Sequence, residues 1–219
     1  MHIITPVLAR SQHSAQVWSQ LRARAGKDVE WVVVVDGDPR TPWHEVRENT
    51  LLANRYADRT IVQKSLQGNG AAMQAAMQHI PDGEPYMKVD ADVLPSMNFA
   101  RNLEVLADLN KHQNLGVLVG LPTPKTPRWN VGVRWMQPNQ RLLLRVALFT
   151  SVGRSVIKDH TTAIPLNGHD VLVASAMDKA NLRTAYTQTA WVDEHYGEQD
   201  TLSDEYTKWK MQYLTPVWR

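Results

Sequence analysis

The chain has 219 residues and a mass of 24.8 kDa, with 43% hydrophobic and 21% charged residues. A chain of this length can bury roughly 70% of its unfolded surface, so these values predict one packed domain and exclude a disordered or collagen-like protein. The absence of cysteine excludes disulfides, a thiolate nucleophile and cysteine-ligated metal sites. The longest apolar run, residues 31–35, is far shorter than the roughly 20 residues of a membrane span. The N-terminus also lacks the basic start and apolar core of a signal peptide, so we expect a soluble, cytoplasmic protein with no membrane contact.

The net charge of +2 is unevenly distributed along the chain. Residues 109–158, named here the acid-free segment, contain eight lysines and arginines and no aspartate or glutamate. This segment carries +8, so the rest of the chain carries 2 − 8 = −6. Because Trp129 and Trp135 are interleaved with these cations, the segment is typical of a surface that binds a polyanion. A solvated basic face, or a site for a diphosphate alone, is the other interpretation.

Strands and helices alternate along the first half of the chain. The strands are predicted from short β-branched and apolar runs, and the helices from apolar or small residues at helical spacing. The predicted strands cover residues 2–8, 30–35, 59–64, 86–89 and 115–119, and the predicted helices cover residues 11–25, 70–79 and 97–111. Three prolines then predict a loop over residues 121–130. The second half adds segments at residues 131–136 and 142–152, a helix over 170–180 and a strand over 184–188.

This alternation predicts the α/β class, with a mostly parallel sheet flanked by helices in a single domain of residues 1–219. Such sheets bind ligands beyond the carboxyl ends of their strands, so acids at those ends are candidates for chemistry. Asp36 follows the second strand, and Asp90 and Asp92 follow the fourth. In an Asp-x-Asp sequence at a strand end, the two carboxylates project to the same side and can serve a hard cation and a ligand hydroxyl. Acids also end strands as ordinary turn residues, which is the simpler interpretation of such a pair.

Six short motifs occur in order along nearly the whole chain. They are IITP at residues 3–6, VVVD at 33–36, GNG at 68–70, VDAD at 89–92, HD at 169–170, and His195. In this order and spacing, the set resembles the family-2 glycosyltransferases with the GT-A fold. The resemblance implies a Rossmann-like half that binds a nucleotide-sugar, residues 1–120, and an acceptor-binding and catalytic half, residues 121–219.

The resemblance also implies a role for each motif around a nucleotide-sugar donor, with a UDP-sugar favoured. The residues implied for the donor are Thr5, Pro6 and Arg10 at the nucleotide, Asp36 at the base, Asp90 at the ribose, and Gly70. Asp92 and His195, together with Asp90, would hold a manganese or magnesium ion that neutralises the leaving diphosphate. Asp170 would be the general base that takes the proton of the acceptor hydroxyl in an inverting displacement.

The sequence departs from the family pattern in two places. DGD at residues 36–38 stands where two adjacent acids are usual, and His169 stands where the family has glutamate before its base. No Gln-x-x-Arg-Trp sequence follows Asp170, so a processive polysaccharide synthase is not expected. For single residues a simpler interpretation stands beside the implied role, since His195 could be a hydrogen-bonded loop histidine and Gly70 part of a plain helix start.

The acidic sequence DEY at residues 204–206 makes the chain similar to compact glycosyltransferases of bacteriophages, some of which add sugars to hydroxymethylated pyrimidines in DNA. Together with the acid-free segment, this favours modified DNA as the acceptor, contacted by Arg128, Trp129 and Arg134. A cell-surface glycan or a small molecule is the alternative acceptor. Two further classes are a nucleotidyltransferase that uses the same Asp-x-Asp and cation, and a non-catalytic nucleic-acid-binding module.

Overall fold

The computed structural model describes residues 1–8, 14–36, 43–63, 68–122, 133–136, 144–157, 159–160 and 169–195. Three predicted site residues, Arg10, Arg128 and Trp129, lie outside these ranges, as does the DEY sequence. For Asp36 and His195 the described part is the backbone. No helix within the described ranges is long and apolar enough to cross a membrane.

The first half of the chain builds the parallel part of the sheet. Its elements are β1 (His2–Leu8), α1 (Ser14–Ala25), β2 (Glu30–Asp36), α2 (Trp43–Tyr56), β3 (Arg59–Gln63), α3 (Gly68–Met77) and β4 (Tyr86–Val89). The four strands pair in parallel in the order β3-β2-β1-β4. Parallel strands present their carboxyl ends at one edge, so the chain after β2 and the chain after β4 emerge on the same side of the sheet.

The second half adds strands of both directions. Its elements are β5 (Val93–Pro95), α4 (Phe99–Leu109), β6 (Leu115–Pro122), β7 (Arg134–Trp135), β8 (Val146–Phe149), α5 (Ser151–Val156), α6 (His169–Lys179) and β9 (Arg183–His195). Strand β8 lies between β4 and β6 and is antiparallel to both, whereas β9 is parallel to β6 and antiparallel to β5. The described strands follow the order β3-β2-β1-β4-β8-β6-β9-β5, with β7 attached to β9. The predicted α/β class is confirmed, and the sheet is parallel in its first half and mixed in its second.

The sheet is covered on both faces, which explains the unbroken apolar run of β2. Successive strand side chains point to opposite faces. Val33 belongs to a buried cluster that includes Trp18 of α1, and Val34 belongs to a second cluster that includes Met73 of α3. Each of these side chains is fully buried, which stabilises the fold by roughly 1.5–3 kcal/mol per large apolar side chain. A strand buried on both sides needs apolar residues at every position, so alternation is absent.

Helix α2 has no counterpart in the sequence prediction. It buries Val46 and Ala53 but leaves the large side chains of Trp43 and Leu51 62% and 59% exposed. Because Trp43 and Leu51 lie on the exposed side while Leu52 and Tyr56 pack against the core, the apolar pattern does not mark a single face of the helix.

Two predicted segments have different limits in the structure. Residues 142–152, predicted as one segment, divide into β8 and α5 because Thr150 ends the strand and caps the helix. Its Oγ1 accepts a hydrogen bond from the backbone N–H of Gly153 (3.1 Å) and donates one to the carbonyl of Leu115 (2.8 Å). The loop predicted from residue 121 begins later, since β6 continues through Pro122, which lies opposite Val192 of β9.

Candidate active site

Asp90 lies directly after β4, at the carboxyl edge of the parallel strands. Its backbone N–H donates to the carbonyl of Arg145 (2.8 Å), just before β8. The N–H of Val93 donates back to the carbonyl of Asp90 (3.4 Å). The Asp-x-Asp sequence therefore forms the tight turn between β4 and β5, fixed on one side by the chain entering β8.

Lys88, which the sequence analysis does not select, supports Asp90 from inside the sheet. Its side chain is buried, and its Nζ donates a hydrogen bond to the carbonyl of Leu144 (2.7 Å) and forms an ion pair with the Asp90 carboxylate. The Asp90 side chain remains 27% exposed, so it lies between the ammonium group and solvent. A lysine inside a buried strand requires a polar partner. In the sequence MKVD at residues 87–90, Asp90 stands two residues after Lys88, so this requirement could have identified the Lys88–Asp90 pair from the sequence.

The charges of two other carboxylates, Asp92 and Asp170, act on Asp90. Burial raises the pKa of Asp90 above its usual value, and the ammonium group of Lys88 opposes the rise, while the charges of Asp92 and Asp170 add to it. Such an effect requires carboxylates that are close in space, although Asp170 belongs to α6, far along the chain. The fold thus places the start of α6 close enough to the turn for the charge of Asp170 to act on Asp90.

Strand β9 carries His195 to the same turn. It pairs antiparallel with β5, and His195 lies opposite Val93, the residue that follows Asp92. Carboxylate oxygens and an imidazole nitrogen form a donor set that Mn²⁺ accepts, and the oxygens suit Mg²⁺. The residues at the turn therefore fit the cation that the resemblance implies. The described side chains, which do not include that of His195, contain no group of three such ligands.

A buried histidine pair anchors the start of α6. His160 Nδ1 and His169 Nε2 are 2.9 Å apart, and both rings are buried. The hydroxyl of Tyr86 lies 3.4 Å from His160 Nε2, and the backbone N–H of His160 donates to the side chain of Gln74 (3.0 Å). Since His169 directly precedes Asp170, these contacts fix the helix end that carries the candidate base.

Both histidines of this pair are neutral at pH 7. Burial lowers the pKa of His160 to about 4. The charge of Asp159 opposes this lowering, and the charge of Arg154 adds slightly to it. Burial also lowers the pKa of His169 well below its usual value, and His160 and Lys88 lower it further. One ring therefore donates its N–H to the unprotonated nitrogen of the other.

The remaining predicted donor residues that the structure describes are distributed over β1, β2 and α3. Thr5 and Pro6 are buried in β1, and the Thr5 hydroxyl accepts a hydrogen bond from the Trp31 indole (2.9 Å). The side chain of Thr5 thus bonds within the core, and its contact with a nucleotide stays a prediction. Asp36 ends β2 beside β1 and β3, and Gly70 is buried in the first turn of α3.

The acid-free segment is not uniformly a surface. Arg154 is buried and donates to backbone carbonyls of residues 80, 81 and 84, and Lys111 forms an ion pair with Asp108 (3.0 Å). Arg154 stabilises the fold, so the prediction of one polyanion-binding surface is wrong for this residue, whereas Lys111 stays on the surface with an acidic neighbour. Arg134, predicted to contact the acceptor, is exposed on β7. Four other cations of the segment lie outside the described residues, namely Lys125, Arg128, Arg141 and Lys158.

Comparison with known proteins supports the fold through solved structures. No family model and no curated protein matches the chain. S. aureus TarS 1-349 in complex with UDP-GlcNAc matches with a TM-score of 0.61 at 14% identity, covering 94% of this chain and 63% of that one. GalNAc-T7 with UDP, GalNAc and Mn²⁺ matches with a TM-score of 0.62 at 8% identity, covering 88% and 43%. CMP:2-keto-3-deoxy-manno-octonic acid synthetase complexed with CTP matches with a TM-score of 0.51 at 13% identity, covering 96% and 98%.

The chain has the GT-A glycosyltransferase fold, as the sequence resemblance implies. It spans about three fifths of the TarS fragment it matches. Because identities of 8% to 14% define a fold and not a reaction, the activity has to be inferred from the site.

Proposed function

We propose that this chain is a metal-dependent, inverting glycosyltransferase that moves a sugar from a nucleotide-sugar donor to a hydroxyl acceptor. The observation that carries the proposal is the Asp-x-Asp turn at the carboxyl edge of a GT-A sheet, where Lys88 pairs with Asp90 and the charges of Asp92 and Asp170 act on it. Two of the similar structures hold UDP-GlcNAc, or UDP, GalNAc and Mn²⁺, which supports a UDP-sugar as donor.

The nucleoside of the donor is expected to lie across the carboxyl ends of β2, β1 and β4. In this arrangement Asp36 would contact the base, and Asp90 a ribose hydroxyl. The register of β5 and β9 supports a cation held by Asp92 and His195 with Asp90, and such an ion would neutralise charge on the diphosphate.

Asp170 is the proposed general base. It lies in the first turn of α6, partly exposed and near Asp90. The acceptor oxygen forms a bond to the anomeric carbon while the bond from that carbon to the diphosphate breaks. The hydroxyl proton passes to the Asp170 carboxylate, and the electron pair leaves with the nucleoside diphosphate. Attack opposite the leaving group inverts the configuration of the sugar.

A thermal-shift panel of UDP-, GDP- and CMP-sugars, each with and without Mn²⁺, tests the donor. A nucleotide sugar that binds the folded state alone, present at 100 times its Kd, raises the free energy of unfolding by about 2.7 kcal/mol. We expect stabilisation by one nucleotide class, and only with the cation. The absence of any stabilising nucleotide sugar in the panel would contradict the proposal.

A nucleotidyltransferase is the second candidate, because the synthetase match covers nearly all of both chains. The two reactions differ in what they release. A glycosyltransferase releases a nucleoside diphosphate from a nucleotide-sugar, whereas a nucleotidyltransferase joins a sugar-1-phosphate to the nucleotide of a nucleoside triphosphate and releases pyrophosphate. Measuring both products with each substrate set separates the candidates.

For the acceptor, we propose hydroxymethylated pyrimidine DNA. Exposed Arg134 and the lack of acids over residues 109–158 support this choice, while buried Arg154 and paired Lys111 reduce the charge available for it. Transfer assays that compare hydroxymethylated DNA, unmodified DNA and a glycan test the choice. Transfer to the glycan alone would show that a glycan, and not DNA, is the acceptor. DNA binding without any donor turnover would indicate a non-catalytic binding module.

A further inference from the structure

Lys88 is a charged residue in a strand position that the fold could fill with an apolar side chain. Strand β4 is buried along its whole length. An ammonium group in such a position costs several kcal/mol unless it is paired and hydrogen-bonded, and apolar replacements of buried ion pairs are often neutral or stabilising. Core packing therefore gives no reason for a cation here, and the reason has to come from the group that Lys88 contacts.

That group is Asp90, which is restrained at two points. Its backbone N–H donates to the carbonyl of Arg145 (2.8 Å), and its carboxylate pairs with the Lys88 ammonium group. The same ammonium group donates to the carbonyl of Leu144 (2.7 Å). Side chain and backbone of Asp90 are thus both tied to the two residues that precede β8.

The surroundings of Asp90 oppose a fixed carboxylate. Asp92 and Asp170 place negative charge beside it, and neither charge favours keeping Asp90 at this position. Lys88 supplies the attraction that holds the carboxylate against this repulsion.

We propose that Lys88 is a positioning residue for the sugar transfer: its ammonium group fixes the Asp90 carboxylate against the backbone of Leu144, so that donor binding depends on Lys88 through Asp90. The inference rests on the proposed glycosyltransferase function and adds to it a residue that acts indirectly on the donor.

A double-mutant cycle tests this dependence, with UDP and GDP in the presence of Mn²⁺ as probes and isothermal titration calorimetry as the measurement. Lys88→Met is expected to weaken nucleotide binding roughly 10- to 100-fold, the usual effect of removing a supporting partner. Lys88→Arg keeps the cation and is expected to restore most of the affinity. In an Asp90→Asn background, Lys88→Met is expected to have no further effect, because its partner is already neutral. Lys111→Met, which removes an exposed lysine outside the site, is the matched control and is expected to bind like the wild type.

Each outcome decides the matter. Equal binding by Lys88→Met and the wild type, or the same loss in both backgrounds, would overturn the inference while leaving the glycosyltransferase proposal intact. Wild-type protein that binds neither UDP nor GDP, and that no nucleotide sugar of the thermal-shift panel stabilises, would overturn both. Lys88→Met leaves Asp90 without its partner and can unfold, which circular dichroism detects. The double variant leaves no buried charge unpaired, and it is compared with Asp90→Asn, whose Lys88 keeps only the hydrogen bond to Leu144 and whose folding is checked in the same way. Any further loss of affinity in this comparison refutes the inference, as does full affinity in Lys88→Met or a failure of Lys88→Arg to restore binding.

Discussion

Replacing His160 by glutamine is expected to remove the part of the acid sensitivity of folding that this residue contributes, while His169 keeps its own part. The ring lies between Tyr86 and His169 in the interior, and burial lowers its pKa from 6.5 to about 4. Because the pKa of His160 is lower in the folded chain, there is a pH range in which the unfolded chain binds a proton at this ring and the folded chain does not. The free energy of unfolding is therefore unaffected by this ring above pH 7 and falls as the pH drops from about 6.5 towards 4.

The pKa values of His160 in the unfolded chain, 6.5, and in the folded chain, about 4, determine how strongly the free energy of unfolding depends on pH. Between pH 7 and pH 5 they lower the free energy of unfolding by about 2 kcal/mol. His160→Gln removes this proton while keeping groups that can bond to Tyr86 and His169. We expect the variant to be less stable than the wild type by roughly 1 kcal/mol at pH 7, and this deficit to shrink or reverse by pH 5.

Urea unfolding of both proteins at pH 7, 6 and 5 measures the difference. His79→Gln, which replaces an exposed histidine just after α3, is the control and is expected to follow the wild-type curve. Stability curves for His160→Gln and the wild type that run parallel from pH 7 to pH 5 would refute the reasoning.

Three further changes test other parts of the structure. Asp170→Asn is expected to lower the rate of sugar transfer by roughly 10²- to 10⁴-fold with donor affinity little changed. The control Asp178→Asn, at an exposed position of the same helix, is expected to keep the wild-type rate. A normal rate for Asp170→Asn would place the base elsewhere. Gly153→Ala would put a Cβ 2.0 Å from the carbonyl oxygen of Gly116, so α5 must move away from β6. The free energy of unfolding is expected to fall by roughly 1–3 kcal/mol in thermal unfolding. An unchanged Tm would contradict this close approach. Arg134→Ala is expected to weaken binding to hydroxymethylated DNA and to reduce its salt slope by about one unit, and an unchanged slope would remove Arg134 from the DNA contact.

The parts of this fold that follow from local sequence could be predicted. Helix α4 was expected over residues 97–111 and spans Phe99–Leu109, and α6 was expected over 170–180 and spans His169–Lys179. Local periodicity and turn residues determine such elements. The acids at the carboxyl ends of β2 and β4 could also be predicted as candidate site residues, because a parallel sheet presents the carboxyl ends of its strands at one edge.

The rest depends on contacts between residues distant in sequence. The short strand β5 exists because it pairs with β9, and β9 itself runs well beyond the predicted residues 184–188. Charge counting along the chain likewise cannot distinguish Arg154, which bonds to carbonyls of the segment before β4, from Arg134 in solvent. Both side chains are arginines in an acid-free segment, and only the packing around them differs.

The place of β9 in the sheet has a consequence for the synthesis of this protein. Although β9 is the last described element, it inserts between β6 and β5, and its contact between His195 and Val93 closes a loop of about one hundred residues. Until residues 183–195 leave the ribosome, the edges of β6 and β5 that they cover stay unpaired and open to association with other chains. A nascent chain therefore already carries Asp90 and Asp92 but has no partner strand beside them. The step that protects the sheet from aggregation is thus the same step that delivers His195 to the Asp-x-Asp turn, so stalled or truncated chains are expected to be both aggregation-prone and unable to assemble this end of the site.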